Sequence, residues 1–294
     1  MEEEKIVCPV CRSTGNKFYG KKNNFNLRLC FNCDLLFVWP VPSDLKKIYS
    51  QDYFINSQKN NNFGYTNYDQ DKESMREIFL KIIGQFEQGV RGRKIFDVGA
   101  ATGYFLDLAK SRGWQTSGTE ISEYAASVAN GRGHKIFCLE LGQLELTEKF
   151  DVITMWDVLE HVADPTAYLA KTSDLLNSDG LLAINTVDRG SVFARILGLH
   201  WHLIVPPEHL NFYSLKNLKI ILDRTGFEII KVSKVGKKFS LSYIFKTLHS
   251  WQGLGCWRIL SVFFDQPFWR RLSLPINFRD NIFILAKKKV EISR

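Results

Sequence analysis

The 294-residue chain contains no apolar run of the length that spans a bilayer. It shows no secretory signal either: residues 1–5 are acidic where such a signal is basic, and no apolar stretch of signal length follows. The expected location is therefore the cytoplasm. Acidic side chains are in deficit, 31 against 39 basic ones, and the net charge of +8 favours anionic partners without naming one. What remains is ordinary. With 45% hydrophobic and 24% charged residues the chain is globular, and its length suits one large domain with a small companion.

Cysteine is scarce, at six residues, yet four of them form a pattern: Cys8-Pro-Val-Cys11 and, eighteen residues on, Cys30-Phe-Asn-Cys33. Each C-x-x-C knuckle can direct two thiolates at one tetrahedral ion, so the spacing points to a four-cysteine zinc ribbon. Protein ligands fill all four positions, which makes the zinc structural rather than catalytic. A redox C-x-x-C needs only one motif, and a reducing compartment disfavours disulfides. Cys138 and Cys256 stand alone and read as buried small hydrophobes.

Residues 93–110 organise the rest of the chain. Ile95, Phe96 and Val98 form a short apolar run ending at Gly99, and Phe105, Leu106, Leu108 and Ala109 then recur at helical spacing. The segment reads as strand, tight turn and helix, the opening unit of a doubly wound α/β sheet. Glycine brings no Cβ and tolerates positive φ, so such a turn lets backbone N–H groups approach a ligand. The next strand, residues 115–120, ends in Glu120, at the offset expected for an acceptor of ribose hydroxyls. Strand, glycines and acid establish an adenosine-type site, and a dinucleotide fits it as well at this point.

From Phe150 a buried strand breaks into a polar turn, Met155-Trp156-Asp157-Val-Leu-Glu160-His161-Val162. Together with Asp97-x-Gly99-x-x-x-Gly103, this resembles class I S-adenosylmethionine (SAM)-dependent methyltransferases. The likeness is strongest to the small-molecule group whose fourth strand is followed by DVLEHV, which stands unaltered at residues 157–162. Many members carry a third glycine where Ala101 stands. The resemblance implies a Rossmann-like seven-stranded sheet with its last strand antiparallel. It also implies SAM as cofactor, held by Asp97, Gly99, Ala100, Gly103, Glu120, Trp156 and Asp157, with groups near Glu140 facing the adenine.

The expected domains are a zinc ribbon at 1–42, a linker with helices at 43–92, and the methyltransferase domain at 93–294, interrupted at about 188–213 and 237–277. An apolar stripe of Met75, Ile78, Phe79, Ile82, Ile83 and Phe86 predicts a helix over 73–86. A second helix begins at a Ser122 cap, a third at Asp164-Pro165 and ends at Gly180, and a fourth begins at Ser214. Strands are expected at 134–138, 181–187, 227–235 and 281–287. A short helix from Ser43 leads to Tyr49, and Tyr53, Phe54 and Tyr68 belong to an aromatic group able to fold over a ligand. The excursion at about 240–275 is aromatic and basic, which admits a lid, a contact between copies or a patch leaning on a membrane surface.

The functional expectation is methyl transfer from SAM to a small or medium acceptor, with an anionic one favoured by the charge. Ribbon-bearing relatives of this kind include sugar methyltransferases, which suggests a sugar or glycan-pathway intermediate. Candidate bases are His161 and His209, with 206–212 as the acceptor-side wall and Phe212 and Trp201 placed to stack on a sugar face. A ribosomal-RNA methyltransferase is the first alternative. Against it, the fourth strand is followed by neither an Asn/Asp-Pro-Pro-aromatic motif nor a Pro-Cys nucleophile. An NAD-dependent oxidoreductase or epimerase is the second, and it lacks the Tyr-x-x-x-Lys pair. A binding module without activity is the third.

Overall fold

The structure is a computed structural model and describes residues 5–43, 54, 68–235, 239–241, 245, 249, 254–266, 269, 273–274 and 279–289. The expected helix from Ser43 to Tyr49 and the role of Tyr53 lie outside them, as does much of the 237–277 excursion. Among the described residues, no helix is long and apolar enough to cross a membrane.

Strands β1 (Asn16–Lys22), β2 (Phe25–Cys30) and β3 (Leu36–Val38) form an antiparallel ribbon sheet. Helices α1 (Tyr68–Glu73) and α2 (Arg76–Gly89) follow. The stripe read as one helix is thus broken ahead of Arg76, while Phe79, Ile82, Ile83 and Phe86 are buried as their spacing requires. The alternating units are β4 (Lys94–Val98), α3 (Tyr104–Ser111), β5 (Gln115–Thr119), α4 (Glu123–Gly131), β6 (Lys135–Phe137), β7 (Phe150–Trp156), α5 (Pro165–Leu175) and β8 (Leu176–Val187). After α6 (Val192–Leu197) come β9 (Asn211–Phe212), α7 (Leu215–Arg224), β10 (Phe227–Ser233), β11 (Phe239–Ser240), α8 (Gly255–Phe264), β12 (Ser273–Leu274) and β13 (Asn281–Lys288).

The large sheet has the order β10-β13-β8-β7-β4-β5-β6. Strands β4 to β8 pair in parallel, and β13 runs antiparallel to both β8 and β10. Side chains alternate between faces as a strand requires: Val152 and Trp156 pack with α2 and α3, whereas Ile153 and Met155 pack on the α7 side. Two expectations are corrected. Strand β8 begins directly after α5, so Gly180 lies within it, where the pairing register with β7 shifts between Phe150 and Val152. A Cβ at Gly180 would meet Leu176 Cδ2 at 2.8 Å, so this glycine serves a bulge rather than a helix end. Ser122 occupies the N-cap of α4 without a side-chain cap bond. By contrast Asp164 caps α5, accepting from the Thr166 and Ala167 N–H groups at 3.1 Å, with Pro165 opening the helix.

The ribbon is joined to the larger domain by main chain. Strand β9, from the 188–213 insertion, adds to the ribbon sheet beside β3, with Leu36 opposite Phe212 and Phe37 opposite Asn211. Cys8, Val10, Cys33 and Leu35 share one apolar cluster with Tyr213, Leu218 and Ile221. Arg12 donates to both Asp164 carboxylate oxygens at 2.9 and 3.0 Å, tying the first knuckle to the start of α5.

Candidate active site

The turn after β4 is shaped by three left-handed residues, Gly99 (φ +70°), Ala101 (φ +49°) and Gly103 (φ +87°). A Cβ on Gly99 would reach Val158 Cγ2 at 2.7 Å, and one on Gly103 would reach His134 Cδ2 at 2.8 Å. Ala101 therefore holds a conformation that favours glycine, which gives the physical reason for a third glycine at this place in relatives. Four of the turn's amides are used inside the protein. Gly99 and Ala100 both donate to the Thr119 carbonyl, Ala101 to Glu120, and Gly103 to the Ala100 carbonyl. Those four amides are thus turned to protein acceptors, which counts against a dinucleotide, whose pyrophosphate needs such donors.

Two buried acids stand beneath the turn. Glu120, 6% exposed, accepts at Oε2 from the Ala101 N–H and at Oε1 from the Ser122 N–H, both at 2.9 Å. Burial raises its carboxyl above the ordinary range against the pull of those bonds. Asp97 accepts from the Thr154 hydroxyl at 2.5 Å, and burial followed by the nearby Glu120 charge pushes it well up. Gly118 lets β5 close on β4, because a Cβ there would overlap the Asp97 carbonyl oxygen. Asp157, left-handed at φ +56°, accepts from Asn185 Nδ2 at 2.5 Å and pairs with Lys72 Nζ at 3.2 Å.

These groups border a cavity of about 430 Å³ at the carboxyl ends of the strands, the place where open α/β sheets bind ligands. The loops after β5 and β6 contribute Glu120, Ile121, Leu139, Glu140, Leu141 and Gly142 to its wall. The loop after β7 contributes Trp156, Asp157, Val158, His161 and Val162, and Phe54, Tyr68 and Lys72 close it. Of the expected cofactor residues, Gly99, Glu120, Trp156 and Asp157 reach the wall, whereas Asp97, Ala100 and Gly103 support it from beneath. The Trp156 ring is mostly in the core, 4.7 Å from the Phe79 ring and stacked on Phe283. Sequence reading missed Lys72, the one lysine or arginine in the wall among the described residues, since it precedes the recognised stripe and has no motif of its own. Thr154 and Asn185 were missed because each lies inside an apolar strand.

His161 lines the cavity, and its Nδ1 lies 2.7 Å from the Glu208 carbonyl oxygen. His209 packs behind it, ring centroids 4.8 Å apart, with Nδ1 at 2.8 Å from the Leu203 carbonyl oxygen. Glu160, 1% exposed, accepts from the Thr186 hydroxyl at 2.8 Å, and burial pushes its carboxyl up to about 7. The 206–212 segment does not itself line the cavity. Trp201 and Phe212 are fully buried between insertion and ribbon, Trp201 donating to Asp280 at 3.1 Å, so neither can stack on a ligand.

The two cysteine knuckles are built alike. Cys8 N–H donates to the Ser13 carbonyl and Arg12 N–H to that of Cys8, while Cys30 N–H donates to Leu35 and Asp34 N–H to Cys30. Arg12 and Asp34, the residues after each knuckle, are both left-handed. The four sulfurs lie within 4.8 Å of one another, an arrangement that fits a zinc ion. The two remaining cysteines are exposed rather than buried, Cys138 in the loop after β6 and Cys256 at the start of α8.

A family model described as a methyltransferase domain matches residues 69–232. A ubiquinone biosynthesis O-methyltransferase of Bradyrhizobium diazoefficiens is 26% identical over 184 residues, covering 54% of this chain and 72% of that protein. One of Idiomarina loihiensis is 30% identical over 171 residues, covering 53% and 70%. Among solved structures, a SAM-dependent methyltransferase of Thermotoga maritima aligns with a TM-score of 0.52 at 19% identity, over 83% of this chain and all of that one. Magnesium protoporphyrin IX methyltransferase of Synechocystis PCC 6803, with bound SAM, aligns at 0.52 and 13%, over 84% of this chain and 99% of its own. The structural likenesses show the fold, and the family model shows the membership. With SAM in place of a dinucleotide the oxidoreductase alternative falls, and the chain belongs to the methyltransferase-domain family as a SAM-dependent methyltransferase.

Proposed function

We propose that the enzyme transfers the SAM methyl group to a hydroxyl oxygen on an aromatic ring. The observation that carries this reading is His161, a titratable group on the cavity wall backed by Glu160 and His209. A hydroxyl must lose its proton on methylation, and this cluster supplies groups able to accept one. The relatives named as ubiquinone biosynthesis O-methyltransferases support an oxygen acceptor on a ring, and Val158, Val162, Ala163 and Ala167 give the wall beside His161 an apolar part between Asp157 and Asp164. The sugar reading loses its stacking residues to the core, and the ring replaces it.

SAM supplies an already activated methyl on its sulfonium. Glu120 would hold the ribose hydroxyls and Lys72 the carboxylate, while Leu139 to Gly142 would flank the adenine. Alignment then does most of the work, and orientation alone is worth up to about 7–11 kcal/mol. Zinc at Cys8, Cys11, Cys30 and Cys33 would brace the ribbon, and thiols kept as a metal site support a reducing, cytoplasmic location. Incubating the enzyme with methyl-labelled SAM and a panel of catechol, a methyl glycoside, an aryl amine and ribosomal RNA tests the proposal. Label in a catechol methyl ether supports it, and label confined to any other acceptor counts against it.

A further inference from the structure

A second cavity, of about 670 Å³, lies where the ribbon meets the larger domain. Strands β1 and β2 supply Tyr19 and Leu29 to its wall, and the 188–213 insertion supplies Arg189 and Arg195. Lys234, just after β10, and Ile282, at the start of β13, complete it from the sheet. Among the described residues it shares no wall residue with the cavity at His161, and its size suits a small organic ligand. We propose that this cavity binds the phosphate ester of a small organic molecule, with Arg189 and Arg195 holding the phosphate. The proposal does not rest on the acceptor assigned above.

Charge singles out the two arginines. Each of the two carboxylates in the wall is already matched by a lysine: Lys216 Nζ lies 2.8 Å from Asp34 Oδ2, and Lys234 pairs with Asp188 Oδ2. Asp188 Oδ1 is taken as well, accepting the Gly190 N–H at 2.8 Å. Among the described residues neither Arg189 nor Arg195 pairs with a carboxylate, so two unmatched positive charges border one cavity. Arg189 is held in place by its backbone N–H, which donates to the Tyr213 carbonyl at 2.6 Å. Its guanidinium lies over the Tyr19 ring, 5.5 Å from the centroid, and donates from Nη1 to the Asp34 carbonyl at 3.2 Å. A guanidinium has five N–H donors, and this bond uses one of them. Arg195, on α6, is exposed to incoming ligand.

The chemistry of the wall selects the ligand. A phosphate monoester carries about −1.5 to −2 charges near pH 7 and offsets both arginines, whereas a carboxylate offsets one. Guanidinium groups also match phosphate oxygens with paired N–H donors, and they shed water more readily than an ammonium does. Helix α7 opens at the same wall with Ser214 at its N-cap, and the positive end of its dipole adds to the attraction. Leu29, Ala194, Ile204, Leu215 and Ile282 give the cavity an apolar part, which inorganic phosphate leaves uncovered and an organic body covers. A ligand here touches the ribbon and the insertion at once, so its binding holds the two together.

The test is a calorimetric titration of the full-length, zinc-loaded protein with phenyl phosphate, inorganic phosphate and benzoate, in the presence of S-adenosylhomocysteine to fill the other cavity. The wild type is expected to bind one phenyl phosphate with a Kd of about 1 mM or tighter, and the other two probes roughly tenfold more weakly. Arg195→Gln and Arg189→Gln are each expected to lose roughly tenfold in phenyl phosphate affinity while keeping zinc and S-adenosylhomocysteine. Hydrogen exchange should show phenyl phosphate protecting the ribbon strand at 16–22 together with 190–198. No phenyl phosphate bound by the wild type overturns the proposal whether or not a variant folds, and so does unchanged affinity in Arg195→Gln, whose exposed side chain is not needed for folding. Benzoate bound as tightly as phenyl phosphate rejects the phosphate, and inorganic phosphate bound as tightly rejects the organic body.

Discussion

Glu120 Oε2 accepts the Ala101 N–H at 2.9 Å, so the acid expected to hold the ribose also holds the left-handed alanine of the turn. Burial raises its folded-state pKa above the ordinary 4.5, so the folded chain keeps that proton more tightly than the unfolded one. The stabilising contribution is complete below about pH 4.5 and is lost as pH rises through the folded value. Glu120→Gln removes the titrating group, while its amide nitrogen cannot accept one of the two N–H groups that Glu120 receives. We expect denaturation of the ligand-free variant to show a shallower fall in stability above pH 4.5, on top of a loss that does not vary with pH. A pH dependence as steep as that of the wild type would mean that Glu120 is not the group responsible.

Close approach of β4 and β5 sets the position of both acids. Gly118→Ala drives a methyl into the Asp97 carbonyl, which is backbone and cannot rotate away. A cost of about 3 kcal/mol is expected, at the upper end for overpacking. Gly84 in α2 has nothing within 4 Å of its would-be Cβ, so Gly84→Ala should gain about 0.5–1 kcal/mol. Urea unfolding of both variants checks the contrast.

Lys72 is expected to hold the SAM carboxylate across from Asp157. Lys72→Met should then weaken SAM binding tenfold or more, about 1.4 kcal/mol, because a charge-assisted bond is lost. Adenosine, which has no carboxylate, should bind both proteins alike. Calorimetry with the two ligands decides, and equal losses for both would place Lys72 in the scaffold instead.

Zinc removal should reach beyond the ribbon. Strand β9 pairs with β3, and the Leu210 N–H donates to the Glu160 carbonyl at 2.8 Å, so the ribbon's order passes to the β7 loop. Chelation under reducing conditions is expected to abolish turnover while SAM affinity and the β4–β8 core persist. Hydrogen exchange followed along the chain reads this directly, with protection lost at 8–38 and 206–212 and kept at 94–98. Full turnover in zinc-free protein would sever that link.

Much of this was legible because its signals are local. Gly99, Gly103 and Glu120 sit at fixed offsets within one βαβ unit, Cys8 to Cys33 repeat one spacing, and the DVLEHV turn follows its strand directly. What escaped depends on contacts distant in sequence. The β3–β9 pairing involves two residues on one side, Asn211 and Phe212, joined to partners more than 170 positions away, too short to leave a period. Phe212 and Trp201 looked like ligand aromatics because their burial is created by the ribbon. Lys72 meets Asp157 only once α1 lies over the strand ends.

The central claim is that one cavity has two separable ends, Glu120 for the cofactor and the His161–His209 pair for the acceptor. Calorimetry with S-adenosylhomocysteine, paired with turnover on the acceptor found, tests it in two variants. Glu120→Ala should lose at least tenfold in affinity, roughly 1.4 kcal/mol or more, whereas His209→Ala should bind as wild type does and lose turnover. Unchanged turnover in His209→Ala, or an equal loss of cofactor affinity in both, would contradict the account.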